Sequence, residues 1–157
     1  MTLQQTEQIN HQKLAVTYFN ETWEFLDKDS RSIEEIEQMI HLAHASFFHW
    51  NQVESCTDQN RSIGYWQLSR VYSVATMADQ ALYYANLCIE ISIRTHLEPF
   101  YVAYAYEAQA RAYAHLQKDD LAKEALHDAT TYIKKIESSE AKELVLKDIE
   151  EIEEKLK

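Results

Sequence analysis

A chain of 157 residues with one glycine, one proline and 46% hydrophobic residues is long enough for one buried core and too poor in turn formers for a sheet protein. Its formal charge of −11 repels the phosphates of nucleic acid and the headgroups of an anionic membrane, so neither is an expected partner. Two cysteines without metal spacing, a polar start with no apolar leader, and no apolar run of about 18 residues predict a single cytoplasmic helical domain over 1–157.

The first predicted helix runs from about Gln5 to Leu26, with Ile9, Val16, Phe19, Trp23 and Leu26 on one stripe. Residues 27–31 break it. Ser32, with Glu35 three residues on, forms the capping box of a second helix. Its seam is Ile33, Ile36, Ile40, Ala43, Phe47 and Trp50, at alternating spacings of three and four. The polar, aperiodic stretch from Gln52 to Arg61 is expected to be a long loop. Helices three and four follow over about Ser62–Ala75 and Ala78–Thr95. Pro99 suits the first turn of the fifth helix, where its missing N–H is harmless, and that helix runs to about Leu116. Asp119 or Asp120 begins the sixth. The last starts near Ser139 and buries Val145, Ile149, Ile152 and Leu156. It turns Glu143, Asp148, Glu150, Glu151, Glu153 and Glu154 to solvent, as the polar end of an array requires. The expected fold is all-α: three antiparallel hairpins at about 5–54, 62–95 and 98–137, with a C-terminal capping helix at about 139–156.

The stretch Tyr65–Cys88 recurs as Tyr106–Ala129, offset by 41 residues. The identical pairs are Tyr65/Tyr106, Arg70/Arg111, Tyr72/Tyr113, Asp79/Asp120 and Ala81/Ala122. Ser69/Ala110 and Cys88/Ala129 add small residues at matching places. A repeat of this length in a helical chain signals stacked helix pairs, each too small to bury its own apolar face.

The second copy, Tyr106, Gln109, Ala110, Tyr113, Ala122, Leu126 and Ala129, resembles the tetratricopeptide repeat in spacing and residue type. The first copy supplies Tyr65, Leu68, Ser69, Tyr72, Ala81, Ala85 and Cys88. Gln109 stands where the motif has Leu, Ala85 where it has a large residue, and the period exceeds the usual ~34. The chain is also similar to a group of small bacterial proteins with no assigned activity, through His44-Ala45-Ser46 with His49-Trp50, Trp66–Tyr72, and Tyr106-Glu107-Ala108 with Ala110-Arg111-Ala112.

The tetratricopeptide resemblance implies a right-handed stack whose first helices line an inner groove. Carried over, the groove positions are Ile63, Trp66, Arg70, Ser73 and Val74 in one copy, and Tyr104, Glu107, Arg111, Ala114 and His115 in the other. Arg70 and Arg111 would grip a carboxylate or phosphate, Trp66 and Tyr104 would supply an apolar floor, and Glu107 would orient Arg111 or meet a basic group. Against this, Glu107–Arg111 at i, i+4 is also the spacing of a plain helix-surface ion pair, of about 0.3–0.5 kcal/mol.

Catalytic and metal chemistry find little support. On helix two, His41 and His44 fall on neighbouring faces and His49 on another, so the three cannot share an ion. A bundle di-metal site needs Glu-x-x-His twice, and Glu124–His127 supplies it once. Cys56 has no base placed beside it by sequence, and Cys88 occupies a core position. One glycine excludes a phosphate-cradling loop.

The expected function is therefore a non-catalytic scaffold or adaptor, without metal or cofactor, that binds a peptide, a protein or a small anionic ligand. Two alternatives remain: a ligand-sensing or enzymatic pocket around His44, His49, Trp50 and Trp66, or a structural module that pairs with a second copy of itself.

Overall fold

A computed structural model describes residues 8–157 and holds, among them, seven α-helices and no strand. They are α1 (His11–Leu26), α2 (Ile33–Gln52), α3 (Asp58–Val74), α4 (Ala78–Arg94), α5 (Pro99–His115), α6 (Asp119–Ile133) and α7 (Ser139–Lys155). The expected start of the first helix, at 5–7, lies outside the described residues. Asn10 caps α1 by accepting from the Lys13 amide, and Ser32 with Glu35 forms the expected capping box of α2.

The helices pack in sequence order, with the tightest pairings α1 on α2, α3 on α4 and α5 on α6. Across these pairs α3 also meets α5, and α5 meets α7. Helices α3, α5 and α7 thus lie side by side. They position the site described below.

The two copies of the repeat build the same backbone. Val74 and His115 end α3 and α5, and two residues later Thr76 and Gln117 take left-handed φ angles of 61° and 59°. The amides of Met77 and Lys118 then reach back to the carbonyls of Tyr72 and Tyr113 at 2.8 and 2.9 Å. This six-to-one closure satisfies orphan carbonyls at a helix end, usually through glycine. A third such turn joins α4 to α5, with His96 at φ 55° and Leu97 donating to Ser92. The matched small residues Ser69/Ala110, Ala81/Ala122 and Cys88/Ala129 are all buried, and Ser69 Oγ donates to the Ala81 carbonyl at 2.8 Å. Only small side chains let helices approach this closely.

Three expectations change. The long loop at Gln52–Arg61 shrinks to 53–57, because Thr57 caps α3 with Asn60 in a reciprocal box and helix continues through Asp58–Arg61. On α2 the buried side is Met39, Leu42, Ala43 and Ser46, while Ile33 is 81% exposed. That helix is pressed from both sides. Ser46 Oγ donates to the Ala15 carbonyl of α1, whereas Met39 and Ala43 pack with Leu68 and Val71 of α3. On α1 the most buried residues are Ala15 and Thr22, and Ile9 and Val16 are exposed. Close contact with α2 selects small residues over the large apolar stripe.

The single glycine has a clear task. A Cβ on Gly64 would lie 2.5 Å from the Phe47 ring, so the glycine leaves the space that this ring of α2 fills against α3.

Candidate functional site

Glu107, in the middle of α5, is fully buried and accepts hydrogen bonds from three side chains. Trp66 Nε1 donates to Oε2 at 3.1 Å. Arg70 Nη2 donates to Oε1 at 3.0 Å, and Arg111 donates to the same oxygen through Nε at 3.1 Å and Nη2 at 2.8 Å. Trp66 and Glu107 are equivalent positions of the two copies, as are Arg70 and Arg111. Placing α3 beside α5 therefore brings matched residues of both repeats to one carboxylate.

Helix α7 completes the network. Its apolar stripe is as expected, with Val145, Ile149 and Ile152 buried and Leu156 packed against the core. Asp148, expected to face solvent, turns partly inward instead, whereas Glu151 stays exposed as expected and reaches Arg111 from the rim. Asp148 Oδ1 lies 3.4 Å from Arg70 and 3.9 Å from Arg111, and Oδ2 accepts from the Tyr104 hydroxyl at 2.9 Å. Glu151 accepts from Arg111 Nη1 at 3.2 Å, and Lys155 stands 3.9 Å from Glu151. The physical reason is desolvation. A guanidinium as buried as that of Arg111 requires carboxylate partners, and α7 carries them at i and i+3.

Burial pushes the Glu107 carboxyl up, but the positive charges of Arg70 and Arg111 and the hydrogen bonds of Arg111 and Trp66 outweigh it. The group is held below the usual carboxylate value of 4.5. For Arg111 burial acts downward, and Glu107 and Glu151 more than reverse it. Three cations, Arg70, Arg111 and Lys155, stand against three anions, Glu107, Asp148 and Glu151. The network is balanced.

Above this network opens a cavity of about 520 Å³, lined by Trp23 of α1, Ser62, Ile63, Trp66 and Arg70 of α3, Cys88 of α4, Phe100, Tyr101 and Tyr104 of α5, and Leu144 and Asp148 of α7. Its walls are mostly apolar, with five aromatic rings among the eleven lining residues. Trp23 stacks near Trp66 at 5.7 Å between ring centroids, Tyr104 meets the edge of Trp66 at 5.3 Å, and Phe100 meets Tyr104 at 5.2 Å. The Arg70 guanidinium lies over the Trp66 ring at 5.1 Å, within cation–π range. Cys88 Sγ is within 3.3 Å of the Ser62 carbonyl, and burial drives the thiol up to about 12, which makes it a packing residue and not a nucleophile.

Of the residues singled out in the sequence, Trp66, Arg70 and Tyr104 line this cavity, and Glu107 and Arg111 lie in the charged layer behind it. His115 stands at the end of α5, where desolvation, then Lys155 and Arg111, lower its pKa. The four residues of the alternative pocket, His44, His49, Trp50 and Trp66, are not gathered around one space. His44 Nε2 is 2.8 Å from the Tyr72 hydroxyl, and its ring also meets Tyr84. His49 pairs with His11 through their Nδ1 atoms at 2.9 Å. Trp50 lines a separate cavity of about 180 Å³ with Val16, Phe19, Asn60, Ile63 and Gly64. Trp66 belongs to the large cavity. Burial first, and then the charge of His41 or His11, keeps His44 and His49 below the ordinary histidine value.

The sequence reading missed Asp148, Glu151, Trp23 and Phe100 as site residues. A signal existed for part of it: Leu144, Asp148, Glu151 and Lys155 recur at helical spacing beside the apolar stripe of α7. Among the described residues no group of three or more His, Cys, Asp or Glu is arranged to hold a metal ion, and no helix is long and apolar enough to cross a membrane. Comparison with models of known protein families, with curated proteins and with solved structures gives no match.

Proposed function

We propose that the protein is a non-catalytic interaction module, a tetratricopeptide-like right-handed stack that binds a peptide, a protein segment or a small ligand in the cavity between α1, α3, α5 and α7. The recurrence of the same helix–turn–helix backbone at an offset of 41 residues supports the repeat reading. The observation that carries the binding reading is the aromatic cavity itself. Its volume of about 520 Å³ falls within the range of about 300–1,000 Å³ typical of ligand sites. Trp23, Trp66 and Tyr104 each keep part of their surface uncovered there, so their rings are available to a ligand.

Nothing around the cavity supplies a reaction. Cys88 is held protonated, Ser62 Oγ is 2.7 Å from Ser92 Oγ, and no histidine lines the wall. Arg70 is the one arginine at the wall, so an anionic ligand would have to be held by it. The cytoplasm is the proposed compartment, and an acidic protein of this kind is proposed to act away from nucleic acid and membrane.

Native mass spectrometry of the protein gently purified from its expression host tests the proposal. A retained mass that disappears when Leu144→Trp closes the cavity mouth is the expected result. A bare chain of unchanged mass, with no response to peptide or small-molecule libraries, would contradict it. The same spectrum reports the subunit count, and a dimer broken by Leu144→Trp would favour the self-pairing alternative.

A further inference from the structure

Resting on the reading that this cavity is a binding site, we infer that its occupant is an uncharged apolar or aromatic group, and that the arginines beside it serve the fold and not an anion. The inference comes from tracing the polar side chains of the wall, of which all but the Tyr101 hydroxyl meet a protein partner. Trp66 Nε1 is taken by Glu107, the Tyr104 hydroxyl by Asp148, and the Ser62 hydroxyl by Ser92. Cys88 points its thiol at the Ser62 carbonyl. Arg70 and Asp148, the two charged groups of the wall, lie 3.4 Å from each other, and Arg70 is bound to Glu107 as well.

A charged ligand gains little in such a place. An anion approaching Arg70 meets Asp148 on the same wall and buried Glu107 behind it. A cation approaching Asp148 meets Arg70 in turn. Either ion leaves water, and desolvation without a new partner is costly. An uncharged ring loses nothing and covers the faces of Trp23, Trp66 and Phe100, together with Ile63 and Leu144 at the edge. Arg111 is only 4% exposed and is held by Glu107 and Glu151, so no ligand reaches it without dismantling the network.

A matched pair of fluorescent probes tests this: N-phenylnaphthylamine, which is uncharged, and its sulfonated counterpart, anilinonaphthalene sulfonate. Each is titrated against the wild-type chain, Leu144→Trp and Arg70→Gln, with thermal melts run alongside to confirm folding. Leu144 is 55% exposed at the cavity mouth, so a larger side chain there fills the opening without entering the core. The expected result is that the uncharged probe binds the wild type, loses about tenfold or more in Leu144→Trp, and binds at least about tenfold more tightly than the sulfonate. A sulfonate that binds as tightly as the uncharged probe, and is lost in Arg70→Gln, overturns the inference and leaves an anion-binding cavity. If neither probe binds while the native spectrum still shows a mass lost in Leu144→Trp, the apolar occupant is wrong and the site stands. Failure of both measurements removes the site and the inference together.

Discussion

The hairpin α3–α4 and the hairpin α5–α6 share a backbone and differ in chemistry. Both first helices end in the same left-handed closure, at Thr76 and Gln117, and both bury small residues at matched places. Yet where α3 carries Trp66 and Ile63, α5 carries Glu107 and Tyr104. The difference explains the site. Because α3 and α5 lie side by side, the carboxylate of one copy receives the indole N–H of its own counterpart in the other, 41 residues away. Two tryptophans at that position would leave Arg70 and Arg111 with only the carboxylates of α7, and two glutamates would leave a carboxylate in excess. Repetition sets the geometry here, and divergence at one position joins the two copies.

Removing the joining residue should have the largest effect. Glu107→Ala leaves one buried and one half-buried guanidinium without their central partner, and a broken buried pair costs about 3–5 kcal/mol. Urea unfolding would show that loss. The same carboxylate sets an acid limit. Its folded pKa is lowered, so its contribution is complete above 4.5 and is lost as the pH falls below that value through the folded one. A melt series across that range should fall more steeply for the wild type than for Glu107→Gln.

A smaller effect is expected for Arg70→Ala, because this side chain keeps contact with water and bonds through Nη2 alone. Loss of a charge-assisted hydrogen bond gives about 1.5–3 kcal/mol in the same assay. The α2–α3 crossing offers a comparison outside the network. Gly64→Ala would normally favour a helix, but here the new Cβ strikes Phe47, so a net loss of about 1–3 kcal/mol is expected. The smallest effect separates the two hairpin turns. Thr76 is β-branched at φ 61°, and Thr76→Gly should stabilise the protein by about 1 kcal/mol, more than Gln117→Gly, as a pair of thermal melts would show.

Much of this architecture can be read from residues alone, and the parts that cannot have a common cause. The all-α class follows from the near absence of glycine and proline, and the boundaries of α4, α5 and α7 follow from Ala78, Pro99 and Ser139. The start of α3 is concealed because its cap pairs Thr57 with Asn60, whereas the usual box has Glu or Gln. The buried Thr22 departs from hydrophobic periodicity because α1 meets α2 closely, and Ile33, the first residue of α2, stays exposed at the helix end. At the site, the i, i+4 spacing of Glu107 and Arg111 is visible, but the same spacing describes a surface pair. What makes it a buried hub is the approach of α3 and α7, a contact between distant segments that no local pattern encodes. Asp148 looks like a solvated acid for the same reason.

The central claim is that the paired arginines hold the helices together while the cavity beside them remains open to an apolar ligand. Urea unfolding of Arg111→Ala beside titration of the same variant with N-phenylnaphthylamine tests it most directly. The account predicts a loss of about 3–5 kcal/mol in stability, because Glu107 is left buried with Arg70 as its single charged partner, and probe binding that persists wherever the variant is folded. A variant of wild-type stability that no longer binds the probe would place Arg111 in ligand recognition and contradict the account.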